Sequence, residues 1–185
     1  STASAATVLL LVALWVLQTS PPPRITDIRP LGLDVGEFYR NPALPSWTTD
    51  GVRLYYVAKK KDRLGLYQVA LHGGDPAEIP TPEGAWPQIW GYLRRESALL
   101  VTTVPEHPIW LVPLPAGTPR RIGKLVANVV AVSPDGTTIA AGGGLCRTFE
   151  SSYCLYLFDR ASGALKQRIL GFPSHVSRVL FSPDG

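Results

Sequence analysis

Short apolar runs alternate with turn-forming residues from about position 41 to the end of the chain. Val, Leu, Ile, Tyr and Thr dominate the runs, and Gly, Pro, Asp and Ser separate them, which is the pattern of β-strands joined by tight turns. The runs that we interpret as strands cover residues 52–58, 64–70, 76–80, 98–104, 108–114, 118–122, 137–141, 153–159 and 164–170. The pattern predicts an all-β fold.

The apolar runs also repeat. The pairs Leu66-Tyr67, Ile109-Trp110 and Leu155-Tyr156 follow one another at intervals of 43 and 46 residues. A period of roughly 40 to 50 residues with four short strands per unit is typical of β-propeller blades. Residues 66–70 and 153–159 are apolar on both strand faces, as expected for a blade that packs between two neighbours. We therefore predict four-stranded antiparallel blades, about three of them and the start of a fourth.

Asp-Gly pairs mark the same turn in successive units. The pairs are Asp50-Gly51, Asp135-Gly136 and Asp184-Gly185, and residues 93–97 replace the turn in the middle unit. In such a turn the Asp carboxylate accepts hydrogen bonds from the backbone beyond it, and Gly takes the positive φ angle. We interpret these six residues as structural rather than catalytic.

Two stretches resemble known propeller families. Residues 131–185 resemble a WD-repeat blade that runs into the next, with Phe158-Asp159 at the Trp-Asp position and Ser174-His175 near the place of the usual Gly-His pair. Residues 66–82 and 109–136 resemble TolB-like propellers with PD40 repeats, as found in acidobacterial-type single-pass membrane regulators of transcription. In that group a cytoplasmic winged-helix domain precedes one membrane helix and an extracytoplasmic propeller. A related architecture carries a Ser/Thr kinase instead. The resemblance implies a propeller that senses or docks, without a cofactor.

The start of the chain is uncharged. Residues 1–23 contain no charged side chain, and residues 5–17 are apolar apart from Thr7. Because twenty helical residues cover the roughly 30 Å of a hydrocarbon core, we predict a transmembrane or signal-anchor helix at residues 1–20. A Pro-containing linker over residues 21–40 would lead to the partial propeller at residues 41–185. A cleaved signal peptide and a buried soluble helix are the alternatives. Since the chain lacks Met and stops at a turn, we expect a fragment of a longer protein.

Composition agrees with a folded, turn-rich chain. There are 18 Pro and 17 Gly among 185 residues, 45% hydrophobic residues and 17% charged ones, which excludes a disordered polar chain. The formal charge is +4. The one basic run, Lys59-Lys60-Lys61 with Arg63, contains Asp62 and lies between apolar strands, so we interpret it as a solvated hairpin tip. This segment is not expected to bind nucleic acid directly.

The two cysteines lie close together in the sequence. Cys146 and Cys154 fall between the second and third strands of the third unit, where hairpin geometry could bring them opposite each other. A disulfide there would fit an oxidising extracytoplasmic compartment, and two reduced cysteines fit equally well. His72, His107 and His175 belong to different units and no Cys-x-x-Cys occurs, so no metal site is predicted.

No catalytic pattern stands out. The chain contains no Gly-x-Ser-x-Gly elbow, and Gly142-Gly143-Gly144 is not followed by the Lys-Ser or Lys-Thr pair of a phosphate-binding loop. The tryptophans Trp47, Trp86, Trp90 and Trp110 are interpreted as blade core rather than as a ligand cage, with room for one or two of them at the top rim. We therefore expect no enzymatic activity, no cofactor and no metal.

The sequence as a whole favours a recognition role. We expect a non-catalytic propeller, a protein-interaction or ligand-sensing module of a membrane-anchored bacterial signalling or transcription-regulatory protein. Its partner would be a protein or envelope ligand on the propeller rim, with the N-terminal helix in the membrane and the propeller in the periplasm or otherwise outside the cytoplasm. The alternatives are an accessory propeller of a peptidase or kinase and a periplasmic TolB-like scaffold protein.

Overall fold

The computed structural model describes residues 37–38, 46–60, 62–82, 86–142 and 153–185, and for residues 37–38 it describes the backbone. All of these belong to the unit Leu31–Gly185. The predicted helix at residues 1–20 and nearly all of the predicted linker at 21–40 lie outside the described residues. Within the described ranges, no helix has the length and apolar character that crossing a membrane requires.

Thirteen strands make up the described part of the chain, and they form three antiparallel sheets. Blade 1 contains β1 (Glu37–Phe38), β2 (Trp47–Thr49), β3 (Arg53–Lys60), β4 (Arg63–Ala70) and β5 (Ala77–Ile79). Blade 2 contains β6 (Trp86–Leu93), β7 (Ala98–Val104), β8 (Pro108–Pro113) and β9 (Arg120–Val126). Blade 3 contains β10 (Val129–Val132), β11 (Thr138–Gly142), β12 (Tyr153–Asp159) and β13 (Leu165–Phe172).

Each sheet follows the order of the chain. Blades 2 and 3 run β6-β7-β8-β9 and β10-β11-β12-β13, and blade 1 runs β3-β4-β5 with the two short strands β1 and β2 both paired to β3. β1 pairs with Ala58 and Lys59, and β2 pairs with residues 54–56. The two short strands thus share one position of a four-stranded sheet. Within the described residues, the prediction of an all-β fold built from four-stranded antiparallel sheets is confirmed.

The blades pack through alternate residues of the same strands. In β7, Leu99 and Val101 point toward blade 1, whereas Leu100 points toward blade 3. Successive side chains of a strand lie on opposite faces, so one strand contributes to two cores. The cluster between blades 1 and 2 contains Tyr55, Val57, Leu66, Ile79, Ile89, Leu99, Val101 and Val112. The cluster between blades 2 and 3 contains Leu100, Ile109, Leu111, Ala127, Val130, Ile139, Ala141, Cys154, Tyr156 and Phe158.

Two of the four tryptophans correct the sequence interpretation. Trp90 and Trp110 are half-buried and pack against the interface clusters, but Trp47 is 58% exposed and Trp86 is 49% exposed. Trp47 is the first residue of β2 and Trp86 is the first residue of β6, so both exposed side chains lie at strand ends. The core interpretation thus holds for Trp90 and Trp110 and does not hold for Trp47 and Trp86.

The chain after β13 also differs from expectation. In the described residues beyond Phe172 there is no strand, although residues 182–185 form the expected turn, with the Gly185 N–H 3.0 Å from the Ser182 carbonyl oxygen. The predicted start of a fourth blade is therefore present as a turn without its strand.

Candidate functional site

The first and third hairpin turns of every blade lie at one end of the sheet, which we call the turn end. Antiparallel order places the turn between the first two strands and the turn between the last two strands at the same edge. In blade 2 these turns are residues 94–97 and 114–119, and in blade 3 they are residues 133–137 and 160–164. The turn end presents most of the polar residues that the sequence analysis singled out.

Asp135 holds the first turn of blade 3 together. Its Oδ1 accepts the Thr137 N–H at 2.9 Å and the Ser133 hydroxyl, and its Oδ2 accepts the Thr137 hydroxyl at 2.8 Å. These hydrogen bonds, that from Ser133 first, lower the pKa of Asp135 to about 2. Gly136 has a φ of 78°, a backbone conformation that is strained for any residue with a side chain. This carboxylate is engaged within its own turn.

Asp50 holds the turn between β2 and β3 of blade 1 together in the same way. Its Oδ1 accepts the N–H groups of Val52 and Arg53, both at 2.7 Å, and its Oδ2 accepts the Tyr55 hydroxyl at 2.7 Å. Burial, and then the hydrogen bond to Asp50, raise the pKa of Tyr55 to about 12. Burial alone would raise the pKa of Asp50, but the hydrogen bonds from Tyr55 and the backbone outweigh it and lower that pKa. Gly51 has a φ of 94°.

The other Asp residues of interest are also turn-bound. A hydrogen bond from Ser182 lowers the pKa of Asp184, and Gly185 has a φ of 108°. Asp159, the residue at the Trp-Asp position, accepts the N–H and the hydroxyl of Ser162 at 2.9 and 2.7 Å. His175 packs edge-on against Tyr153, with ring centroids 5.9 Å apart.

Two contacts that the sequence analysis missed join the turns of blades 2 and 3. Arg160 donates from both terminal nitrogens to the two carboxylate oxygens of Glu96, and its Nη1 lies 3.4 Å from the Gly136 carbonyl oxygen. Arg95 donates to the Asp135 carbonyl oxygen at 2.7 Å. The hydrogen bond from Arg160 lowers the pKa of Glu96, against the opposing effect of burial. Glu96 and Arg160 are 64 residues apart, so the sequence held no direct signal that they pair.

A cleft lies between these joined turns. Its volume is about 280 Å³. Residues from the end of β6, the turn after it, and the turn of blade 3 line it: Tyr92, Leu93, Arg94, Arg95, Glu96, Val132, Ser133, Pro134 and Gly136. The floor is apolar and the rim is charged, a combination typical of recognition sites.

The basic run sits at the opposite end of blade 1, at the β3–β4 hairpin. Lys60 pairs with Arg63 across this hairpin, and Asp62 has a φ of 64°. The Lys59 ammonium lies 2.8 Å from the Asp62 carboxylate, and Arg63 forms an ion pair with Glu78. The positive charges of this hairpin are thus partly neutralised by carboxylates beside them.

Cys154 is buried in β12 and is not a free thiol. Cys146 lies outside the described residues, so its pairing with Cys154 stays a prediction. In the described ranges, no three His, Cys, Asp or Glu side chains are grouped as metal ligands would be. Burial lowers the pKa of His107, which has a φ of 56° in the β7–β8 turn.

Comparison with known proteins gives structural matches. No family model and no curated protein matches the chain. TolB from Acinetobacter baumannii is 21% identical with a TM-score of 0.51, over 65% of this chain and 30% of that one. A putative TolB from Agrobacterium tumefaciens is 17% identical with a TM-score of 0.54, over 76% of this chain and 54% of that one.

Hydrazine synthase from Kuenenia stuttgartiensis is 18% identical with a TM-score of 0.50, over 71% of this chain and 38% of that one. This chain therefore spans about a third to a half of the length of these structures. At such identities the likeness shows the fold alone. The described residues form the blades of a TolB-like β-propeller.

Proposed function

We propose that this chain is a non-catalytic recognition module, which binds a protein or envelope ligand at the turn end of its blades. The observation that carries the proposal is how the ionisable groups of this end are used. Asp50, Asp135 and Asp159 accept hydrogen bonds within their own turns, and Glu96 is paired with Arg160. These groups hold the surface in a fixed shape, and a fixed surface suits recognition because little ordering is lost on binding.

The uncharged start of the chain supports a membrane-anchored version of this role. A helix at residues 1–20 would hold the propeller at the membrane, and a bonded Cys154 fits a location outside the cytoplasm. We propose that the propeller belongs to a bacterial signalling or transcription-regulatory protein, and that nucleic acid contacts are made elsewhere in that protein. Fusions of a periplasm-active and a cytoplasm-active reporter after β13 test this orientation. Activity of the cytoplasmic reporter alone would contradict it.

A periplasmic TolB-like scaffold is the second candidate, favoured by the fold that the chain shares with TolB. It differs from the anchored version in the fate of residues 1–20. Sequencing the N-terminus of the mature protein separates the two, since a scaffold released by signal cleavage begins after this segment and an anchored protein retains it.

Site-specific photocrosslinking in cells tests the recognition role. A photoreactive amino acid would replace Ala116 or Ala161, which are exposed in the last turns of blades 2 and 3. Glu106, exposed at the opposite end of blade 2, is the matched control position. We expect discrete protein adducts from the two turn-end positions and none from the control. Adducts from the control position alone, or from no position, would overturn the proposal.

A further inference from the structure

The cleft between the turns of blades 2 and 3 carries cations that the protein itself leaves without a carboxylate. Glu96 is occupied by both nitrogens of Arg160. Arg95 uses one nitrogen on the Asp135 carbonyl oxygen, which bears no formal charge. In the described part of the chain, no carboxylate lies within ion-pair distance of Arg94 or Arg95. The rim of the cleft therefore offers two guanidinium groups with free donors.

The surroundings keep this rim positive. The Asp135 carboxylate faces its own turn, where Ser133 and Thr137 donate hydrogen bonds to it. Arg120 is a further cation, close enough to contribute to the lowered pKa of Glu96. Guanidinium groups bind carboxylates with two parallel hydrogen bonds, which makes an anionic oxygen pair the best-matched ligand.

The floor of the cleft sets a second requirement. Leu93 and Val132 are half-buried there, and Pro134 forms part of the wall. At about 280 Å³ the cleft lies just below the roughly 300 Å³ at which small-molecule pockets begin, so it takes one or two side chains rather than a whole cofactor. The ligand should thus combine a carboxylate with a neighbouring apolar side chain.

We infer that this cleft binds an acidic segment of a partner polypeptide, with an Asp or Glu carboxylate on Arg94 and Arg95 and an adjacent apolar side chain on Leu93 and Val132. The inference rests on the proposed recognition role and names its site and ligand chemistry. A nucleic acid strand fits less well, because phosphate binding draws on an extended track of cations.

Fluorescence anisotropy with defined peptides tests the site. The full 185-residue chain would be purified in a zwitterionic detergent, since its start is apolar and uncharged. The probe is a rhodamine-labelled nonapeptide with an Asp-Glu pair flanked by leucines, and its counterpart carries Asn-Gln instead. We expect the acidic peptide to bind about tenfold more tightly or better, and to weaken as salt rises from about 50 to 300 mM.

Arg94→Gln should weaken acidic-peptide binding about tenfold, and Arg94→Glu should abolish it. The Arg94 side chain is exposed, and the hydrogen bond that Arg94 accepts from the Ser97 N–H uses its backbone carbonyl oxygen. Both variants keep that backbone contact and should therefore keep the wild-type urea midpoint. Arg178→Gln removes the same charge from an exposed position outside the cleft and should change the affinity less than twofold.

Three results would overturn the inference: equal affinity for the acidic and amide peptides, unchanged binding by Arg94→Gln, or tighter binding of a single-stranded oligonucleotide than of the acidic peptide. If crosslinks from Ala116 or Ala161 still form while any of these results is obtained, the recognition role stands and the assignment of the cleft fails. If crosslinking fails while the peptide series behaves as expected, the cleft is a binding site that cellular partners do not use.

Discussion

The two interfaces between the blades use the same middle sheet but are built differently. Between blades 1 and 2, Tyr55 stacks on Tyr92 with ring centroids 6.0 Å apart, and Gln68 donates to the Pro115 carbonyl oxygen at 3.2 Å. The Gln68 Oε1 and the Trp110 Nε1 there are buried without a hydrogen-bond partner among the described residues. Between blades 2 and 3, the pair of Arg160 with Glu96 bridges the turn end.

This difference shows what each kind of contact contributes. Apolar contacts hold sheets at a fixed distance but tolerate small shifts, because the hydrophobic effect is not directional. A two-point guanidinium–carboxylate pair also fixes the relative position of the turns that carry it. The cleft lies beside this pair, at the interface of blades 2 and 3.

The largest expected effect comes from two adjacent residues that serve opposite interfaces. Leu99 is 0% exposed and faces blade 1, and Leu100 is 1% exposed and faces blade 3. Leu99→Ala and Leu100→Ala should each lower the free energy of unfolding by about 2–5 kcal/mol, since each leaves a cavity. Urea unfolding measures the loss. Leu170→Ala, at a side chain 58% exposed, should change it by less than about 0.5 kcal/mol.

Hydrogen exchange then tests whether the two interfaces are separate. Leu99→Ala should speed amide exchange mainly in β3 and β4, and Leu100→Ala mainly in β11 and β12. The same exchange pattern in both variants would show that the interfaces open as one unit.

A disulfide would stabilise the interface between blades 2 and 3, because Cys154 belongs to the apolar cluster there. A bond between Cys146 and Cys154 should make reduction lower the free energy of unfolding by about 2–3 kcal/mol, from the freedom gained by a short closed loop. A variant with both cysteines changed to Ser should not respond to reductant. A thiol assay on the denatured, unreduced protein should find no free thiol, and two free thiols would disprove the bond.

The ion pair between blades should contribute a smaller amount. A double-mutant cycle of Glu96→Gln and Arg160→Met should give a coupling of about 1–2 kcal/mol, because both side chains are largely buried. Arg160 is 17% exposed and Glu96 is 26% exposed. The exposed pair Arg63–Glu78, at 71% and 47%, is the control and should give less than about 1 kcal/mol. Equal couplings for both pairs would remove the distinction between the two interfaces.

The same pair predicts a dependence on acid. The hydrogen bond from Arg160 holds the pKa of Glu96 below its usual 4.5 in the folded protein. Its stabilisation is thus fully present above the unfolded pKa, and it is lost as pH falls through the folded pKa. The coupling measured at pH 7 should therefore shrink in strong acid, and a coupling that grows on acidification would contradict the assignment.

We expect the smallest effect on stability from Tyr55, at the interface of blades 1 and 2. Its contribution depends on pH only in alkaline solution. Burial and the Asp50 hydrogen bond raise the folded pKa of Tyr55 to about 12 from an ordinary value of 10.0. Stability from this tyrosine is complete below pH 10 and is lost as pH rises toward 12. Tyr55→Phe should cost about 1 kcal/mol at neutral pH and should flatten this alkaline loss. Absorbance titration near 295 nm should show one fewer late-ionising tyrosine in the variant.

Much of the fold was readable from the sequence, and the reason lies in local pattern. The predicted strands 98–104 and 153–159 match β7 and β12 residue for residue, because apolar runs between clear turns mark both. β6 and β10 were not predicted as separate strands. β6 contains Pro87 and Gly91, which interrupt a strand pattern, and β10 has only four residues.

The candidate site was much less readable. The turn roles of Asp50 and Asp135 follow from short-range chemistry, since each carboxylate binds groups within five residues. The pairing of Glu96 with Arg160 and the cleft beside it depend on how two sheets face each other. No local pattern encodes that relation, and the exposure of Trp47 and Trp86 was misjudged for the same reason.

The sheet order of the blades has a consequence for synthesis on the ribosome. Every strand of blades 2 and 3 pairs with its neighbour along the chain, so a blade can form its hydrogen bonds as soon as its own residues have emerged. Its second apolar face is covered only when the next repeat follows, 43 to 46 residues later. At about 5–20 residues per second, each new blade exposes one bare face for several seconds. Those seconds are when a nascent chain of this kind most needs a chaperone.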